Sequence, residues 1–212
     1  MFSPESFSFG SPKPKKPITR KPSSGSPKGN PPRYALGDKA LSYNFKRGGA
    51  WYNSLKSKLN GSYLTSRSTA DILNMCPRYN KLNNSARADF WISVFDALAY
   101  AESGHNPKTA YKESFGVVSR GLLQISHGSA NGHRGYCAGS TSSNLHNPYK
   151  NLGCGVTIMT HQLQSRGQLL TQPSHYYWSV LNPQKNTGGY MRFRNRLAFL
   201  KWRGNPWPKA CQ

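Results

Sequence analysis

Seven carboxylate side chains, Glu5, Asp38, Asp71, Asp89, Asp96, Glu102 and Glu113, stand against twenty-nine Lys and Arg in this 212-residue chain. Any residue that works as an acid or a carboxylate base is one of these seven. Glu102 has the setting that suits the task. An apolar helical pattern ends in Ala101-Glu102-Ser103-Gly104, and the negative end of a helix opposes a nearby negative charge. Leu98, Ala99 and Ala101 beside it add a cost to ionisation, so the carboxyl should keep its proton to higher pH than a free glutamate does. A general acid for a glycosidic oxygen needs that property. The competing reading is a solvated glutamate that merely precedes a turn.

A second carboxylate would widen the chemistry. At ~100° per residue, Asp89 and Asp96 lie on nearly one helix face, more than ~120° from Glu102, so they are poor partners for it. Glu113 follows the break at Gly104 and Pro107; its direction is not set by the helix, and it is free either to return towards the cleft or to pair with one of the many cations. Without a carboxylate opposite Glu102, the two-carboxylate geometries of ordinary glycosidases are unavailable, and one acid must act twice. The histidines offer no metal site: His127 and His133 fall in a loop pattern with no Glu or Cys at ligand spacing. No Ser-His-Asp set or phosphate loop stands out, and no cofactor is expected.

The elements that must position these groups read as helices. Trp91, Val94, Phe95, Leu98 and Ala101 recur at helical spacing after a cap at Asn84 or Ser85 and before the stop at Gly104 and Pro107; this apolar stripe must face a core. Trp51, Tyr52, Leu55 and Leu59 suit one face of an earlier helix, and Ser68 caps a short one through Met75. Gly128 to Asn147 reads as loops around a cleft. A further helix runs from near Leu152 to Gly167, an aromatic one is predicted over Ser174 to Leu181, and Met191 to Arg203 places Phe193, Leu197 and Leu200 on one face and arginines on the other. Alternating strand patterns are few. The fold class expected is mainly α, a single domain over 41–212. The Ser, Pro, Lys and Gly of residues 1–40 cannot bury enough surface to offset their ordering entropy and form a disordered basic tail.

The net charge of +22 draws the protein to polyanions, whether nucleic acid, anionic lipid or anionic envelope polymers. Four cysteines, Cys76, Cys137, Cys154 and Cys211, allow three full pairings. Cys137 with Cys154 and Cys76 with Cys211 is the favoured set, against four buried thiols as the alternative. Bridged, they place the protein outside a reducing cytosol, periplasmic or secreted. No apolar run approaches a membrane span, and the N-terminus lacks the apolar core of a secretory signal. A monomer is expected.

Three stretches carry a family resemblance. Glu102-Ser103-Gly104 with Asn106-Pro107 resembles the catalytic Glu-Ser motif of soluble lytic transglycosylases and goose-type lysozymes. Gly121-Leu122-Leu123-Gln124-Ile125 is similar to the family's Gly-Leu-Met-Gln-Ile segment, with Leu123 for Met. Asn147-Pro148-Tyr149-Lys150-Asn151-Leu152-Gly153-Cys154-Gly155 resembles its Pro-x-x-Asn-Ile-x-x-Gly helix entry. The Ala-Tyr-Asn motif is matched in part by Tyr176-Tyr177-Trp178, where Trp178 replaces the Asn.

The resemblance implies a lysozyme-like fold that cleaves the β-1,4 bond between N-acetylmuramic acid and N-acetylglucosamine in peptidoglycan. Glu102 is then the proton donor, and either the muramoyl C6 hydroxyl, giving a 1,6-anhydro product, or water completes the reaction. Ser103 and Gln124 are expected to orient Glu102 and the sugar, Gly121 to let backbone approach the glycan, and Tyr177, or Tyr176 next to it, to hydrogen-bond near the reacting sugar. Glu113 is the further candidate at the substrate. For Gln124, a buried structural hydrogen bond fits equally well. A non-catalytic nucleic-acid or polyanion binder, using the basic tail and the arginine-rich end, is the reading from another class; it leaves the order of the three motifs unexplained.

Overall fold

The computed structural model describes residues 42–113, 116–170, 177–184 and 187–212. The tail expected over 1–40 and the Tyr176 candidate lie outside the described residues.

The chain is mainly α, built around one central helix. Helices α1 (Ala50–Leu59), α2 (Tyr63–Ser66) and α3 (Ala70–Met75) precede α4 (Asn84–Ser103). A small sheet follows, formed by β1 (Ala110–Lys112), β2 (Val118–Arg120) and β3 (Ile125–Ser126), and then come α5 (His127–Asn131), α6 (Pro148–Arg166) and α7 (Thr187–Arg203). Among the described residues no helix is long and apolar enough to cross a membrane.

Helix α4 is more deeply placed than a one-sided stripe implies. Every residue from Ala88 to Ala99 is buried, including Asp89, Ser93 and Asp96. Helices α1, α2 and α7 all pack against it, which leaves it no solvent face over that span. The two acids are tolerated inside because each is matched by cations, as buried charges must be. Asp89 accepts from Arg47, from Lys56 and from the Tyr52 hydroxyl. Asp96, 1% exposed, accepts from Arg196 Nε at 2.7 Å and Nη2 at 3.0 Å and meets His105 Nε2 at 3.0 Å. Burial alone would push the Asp96 carboxyl up, but Arg196 and His105 outweigh it and hold it below its ordinary range. Arg196 therefore belongs to the core, where the sequence placed it on a basic outer face.

Local chemistry sets the ends of α4. The N-cap is Asn83, one residue before the expected pair, and its side chain accepts the Ala86 N–H at 2.9 Å. At the other end Gly104 (φ 62°) and His105 (φ 68°) both take the left-handed conformation. A glycine supplies that turn freely; His105 adopts it with its ring locked on Asp96. Helix α3 likewise starts later than expected, with Thr69 at the N-cap position in place of Ser68.

The sheet was not anticipated, because strands of two and three residues carry too little alternation to show. It is antiparallel in the order β1-β2-β3, pairing Tyr111 with Ser119 and Arg120 with Ile125. Helix α6 begins at Pro148, earlier than expected, with Asn147 capping the Tyr149 and Lys150 N–H groups, and ends at Gly167 (φ 67°). The described part of the aromatic segment is a single 3-10 turn, Ser179–Leu181, in place of the predicted helix. Disulfides join Cys76 to Cys211 and Cys137 to Cys154; the first closes a sequence separation of 135 residues, worth about 5 kcal/mol in the chain-entropy account.

Candidate active site

The end of α4 opens into a cleft of about 520 Å³ lined by Glu102, Tyr111, Glu113, Ser119, Gln124 and Tyr177, among others. Four separate elements supply this wall, and the three sequence motifs explain how they meet.

Ser103 fastens the helix end. Its hydroxyl donates to Ala99 O at 3.0 Å and to Leu122 O at 2.9 Å, so it bridges α4 to the Gly121–Ile125 loop and positions Glu102 without touching its carboxyl. Gly121 is required for packing within the protein. At φ +76° an added Cβ would stand 2.2 Å from Leu145 O and 2.5 Å from Asn151 Nδ2, far inside contact distance. The space a side chain would need at Gly121 is thus filled by the protein itself.

Asn151, fully buried on α6, is the hub of the loop. Its Oδ1 accepts the Leu123 N–H at 2.8 Å, and its Nδ2 donates to Arg120 O at 2.9 Å and Leu145 O at 3.0 Å. One turn on, Gly155 leaves room for the Leu123 side chain, since a Cβ there would lie 2.2 Å from Leu123 Cδ1. The third motif is therefore the clamp for the second. Trp178 adds a fourth tie, donating from Nε1 to Leu123 O at 2.8 Å; an indole N–H can do this where an asparagine amide stands in the family motif.

Held on three sides, the loop presents Gln124 in the left-handed region at φ 47°. Its Nε2 donates to Gly121 O at 2.8 Å and Thr109 O at 3.2 Å, while its Oε1 has no partner among the described residues. A non-glycine residue in this conformation is strained, and Gln124 lines the cleft.

The sheet delivers the second carboxylate. Glu113 directly follows β1, its N–H donates to Val117 O at 2.7 Å, and its Oε1 accepts the buried Ser119 hydroxyl of β2. Both glutamates therefore line one cleft.

Glu102 differs from the other described carboxylates. Asp71 caps Ile72 and accepts the Leu170 N–H at 2.6 Å, Asp89 and Asp96 are ion-paired, and Glu113 holds Ser119. Among the described residues Glu102 has neither a hydrogen bond nor a salt bridge. Burial raises its pKa from 4.5 to about 8; the charge of Arg192 opposes the rise and that of Glu113 adds to it. Desolvation, more than the helix end, is thus what keeps the proton. Arg192, on α7, also donates to Ala101 O at 3.2 Å, next to Glu102. Nothing in the arginine-rich segment of the sequence singled it out.

Tyr177 closes the far wall. Burial raises its hydroxyl to about 12, against hydrogen bonding to Ser129 and the Ser126 backbone, with Glu113 and Glu102 pushing the same way as burial. It remains a neutral hydroxyl at any working pH. No group of three or more metal-ligating side chains occurs among the described residues.

The transglycosylase SLT domain profile matches residues 81–188, and the chain belongs to this family of peptidoglycan lytic transglycosylases. Its fold is correspondingly lysozyme-like. Among solved structures it is similar to DslA in wild-type form, at 31% identity and TM-score 0.59, covering 68% of this chain and 85% of that one. Two Glu-to-Gln variants of DslA align over the same shares, one at 31% identity and TM-score 0.58, the other at 30% and 0.60. No curated protein sequence matches the chain. An SLT domain with two disulfides points to an extracytoplasmic location.

Proposed function

We propose that this protein cleaves peptidoglycan glycan strands at the β-1,4 bond between N-acetylmuramic acid and N-acetylglucosamine, with Glu102 as the general acid. The observation that carries the proposal is the state of Glu102: a carboxyl raised to about 8 in a cleft, with none of the partners that occupy the other described acids. Glu102 donates its proton to the leaving glucosamine O4 as the muramoyl C1–O4 bond breaks and an oxocarbenium-like state forms. The positive charge of Arg192 eases formation of the Glu102 carboxylate as the proton leaves. Gln124, which lines the cleft, and the Tyr177 hydroxyl hold sugar polar groups; Ser103 and Gly121 act by holding the loop. Tyr176 stays a candidate beside Tyr177.

Hydrolysis is the outcome we favour. Glu113 lines the same cleft, where a carboxylate can orient a water for addition to C1, the water's second proton returning to a carboxylate. The spacing in the DslA variants supports a paired role, since their two substituted glutamates lie eleven residues apart, as Glu102 and Glu113 do. Family membership favours the other acceptor, the C6 hydroxyl. Mass spectrometry of peptidoglycan digested by the full chain separates them, because a reducing end and a 1,6-anhydro end differ by one water. Reducing ends bear out hydrolysis, anhydro ends replace it with transglycosylation, and no released muropeptide overturns both. The protein acts in the periplasm or outside the cell as a monomer, its domain spanning 41–212 and residues 1–40 serving as a basic tail that suits anionic envelope polymers.

A further inference from the structure

A second concavity, of about 450 Å³, lies between the end of α1, the turn at Gly135–Cys137 and the middle of α6. Its walls are fixed. The Cys137–Cys154 disulfide ties the turn to α6, and the Tyr136 N–H donates to Thr157 Oγ1 at 3.1 Å. Lys58 is the cation of this cavity. Its stem rests on Gly153, where an added Cβ would stand 3.1 Å from Lys58 Cε and 3.3 Å from Tyr136 Cβ. The ammonium donates to Ser54 Oγ at 3.1 Å and lies 5.5 Å from the centroid of the Tyr136 ring.

What Lys58 lacks is a counter-ion. Arg47 and Lys56 are paired with Asp89 and Arg196 with Asp96, while Lys58 meets no carboxylate among the described residues. Packing, not pairing, holds its charge at the cavity. Tyr136, 47% exposed, offers a flat apolar face next to that charge, Thr157 and His161 line the far side, and the buried Ser62 Oγ has no partner among the described residues. A single fixed cation beside an aromatic face and hydroxyls suits one carboxylate on a compact polar ligand better than the repeated phosphates of a nucleic acid.

A chain of ring contacts links the cavity to the cleft. His161 Nδ1 lies 2.8 Å from His133 Nδ1, and the His133 ring stands edge-on to Tyr177 at 6.5 Å between centroids. Tyr177 lines the cleft with Glu102. Three adjoining rings, those of His161, His133 and Tyr177, thus span the distance between the cavity and the cleft.

We infer that this cavity is an accessory site for the peptide that branches from the glycan, one of its carboxylates pairing with Lys58 against the Tyr136 ring. The inference rests on peptidoglycan being the substrate. The test uses the full-length E102Q protein and isothermal titration with two probes: a soluble peptide-bearing glycan fragment, and the same glycan stripped of peptide. The peptide-bearing probe is expected to bind about tenfold tighter. Lys58→Met should abolish that difference and leave affinity for the bare glycan unchanged, with Lys58→Arg restoring part of it. Tyr136→Leu should shrink the difference as well, and serves if the Lys58→Met protein fails to fold. Equal binding of the two probes, or an equal loss for both on Lys58 substitution, overturns the inference. Mass spectra of the probes after titration read the catalytic assignment separately: cleavage by E102Q would sink the role of Glu102 whatever the peptide does.

Discussion

The Asn151 side chain accepts the Leu123 backbone N–H at 2.8 Å while its amide donates to Arg120 O and to Leu145 O. One fully buried residue on α6 thereby sets the conformation of a loop whose next residue, Gln124, lines the cleft. Replacing Asn151 with Ala orphans three backbone groups in the interior. The variant should lose about 2–4 kcal/mol of stability, read as a lowered denaturant midpoint, and its kcat/KM should fall well below wild type at temperatures where it is still folded.

In the proposed role, Glu102 sets the alkaline side of activity. As a general acid it must be protonated, so activity should hold below about 8 and fall as pH rises through that value. Arg192 favours the carboxylate, and its removal raises the pKa. R192Q should accordingly move the falling limb of the kcat/KM profile to higher pH. Glu113 disfavours the carboxylate, so E113Q should move the limb to lower pH, each by roughly half a pH unit. Limbs that shift together would contradict the arrangement.

The same proton affects folding. An unfolded Glu102 titrates near 4.5 and the folded one near 8. At pH 4 the carboxyl is neutral when folded and mostly neutral when unfolded, so little cost of burying charge is present there. That cost appears as pH rises above 4.5 and is complete once pH has passed about 8. E102Q, neutral throughout, should melt with wild type at pH 4 and above it at pH 9. Each pKa unit corresponds to ~1.4 kcal/mol, scaled down because the cleft admits water.

Asp96 gives the opposite dependence. Its folded pKa is depressed by Arg196 and His105, so the stability it contributes is present above 3.8, its ordinary value, and is lost as pH falls through the folded value. D96N removes the carboxylate charge that faces the buried Arg196 and should cost about 3–5 kcal/mol, measurable by urea unfolding at pH 7.

Chemistry that sits in contiguous residues could be read from the sequence. Glu102 at a helix end, the Gly121–Ile125 segment and the Asn147–Gly155 entry were visible as motifs, and the spacing of Trp91, Phe95 and Leu98 drew α4. Chemistry assembled across the chain could not. The match of Arg196 to Asp96, a hundred residues apart, looks in sequence like one more surface arginine. The Ser119 hydroxyl on Glu113 depends on a sheet too short to show its alternation. His105 gave a weak signal, a histidine directly after a glycine stop, but only its partner reveals why it turns inward. Trp178 looked like a departure from the family pattern, and the bond to Leu123 O explains how the fold accommodates it.

In the proposed mechanism Glu102 supplies the proton that breaks the glycan. Muropeptide release from purified peptidoglycan, followed by mass spectrometry for wild type and E102Q under identical conditions, tests it most directly. Wild type should release muropeptides and E102Q should do so about 10²–10⁴-fold more slowly, while still binding the wall. Release by E102Q at the wild-type rate would contradict that mechanism.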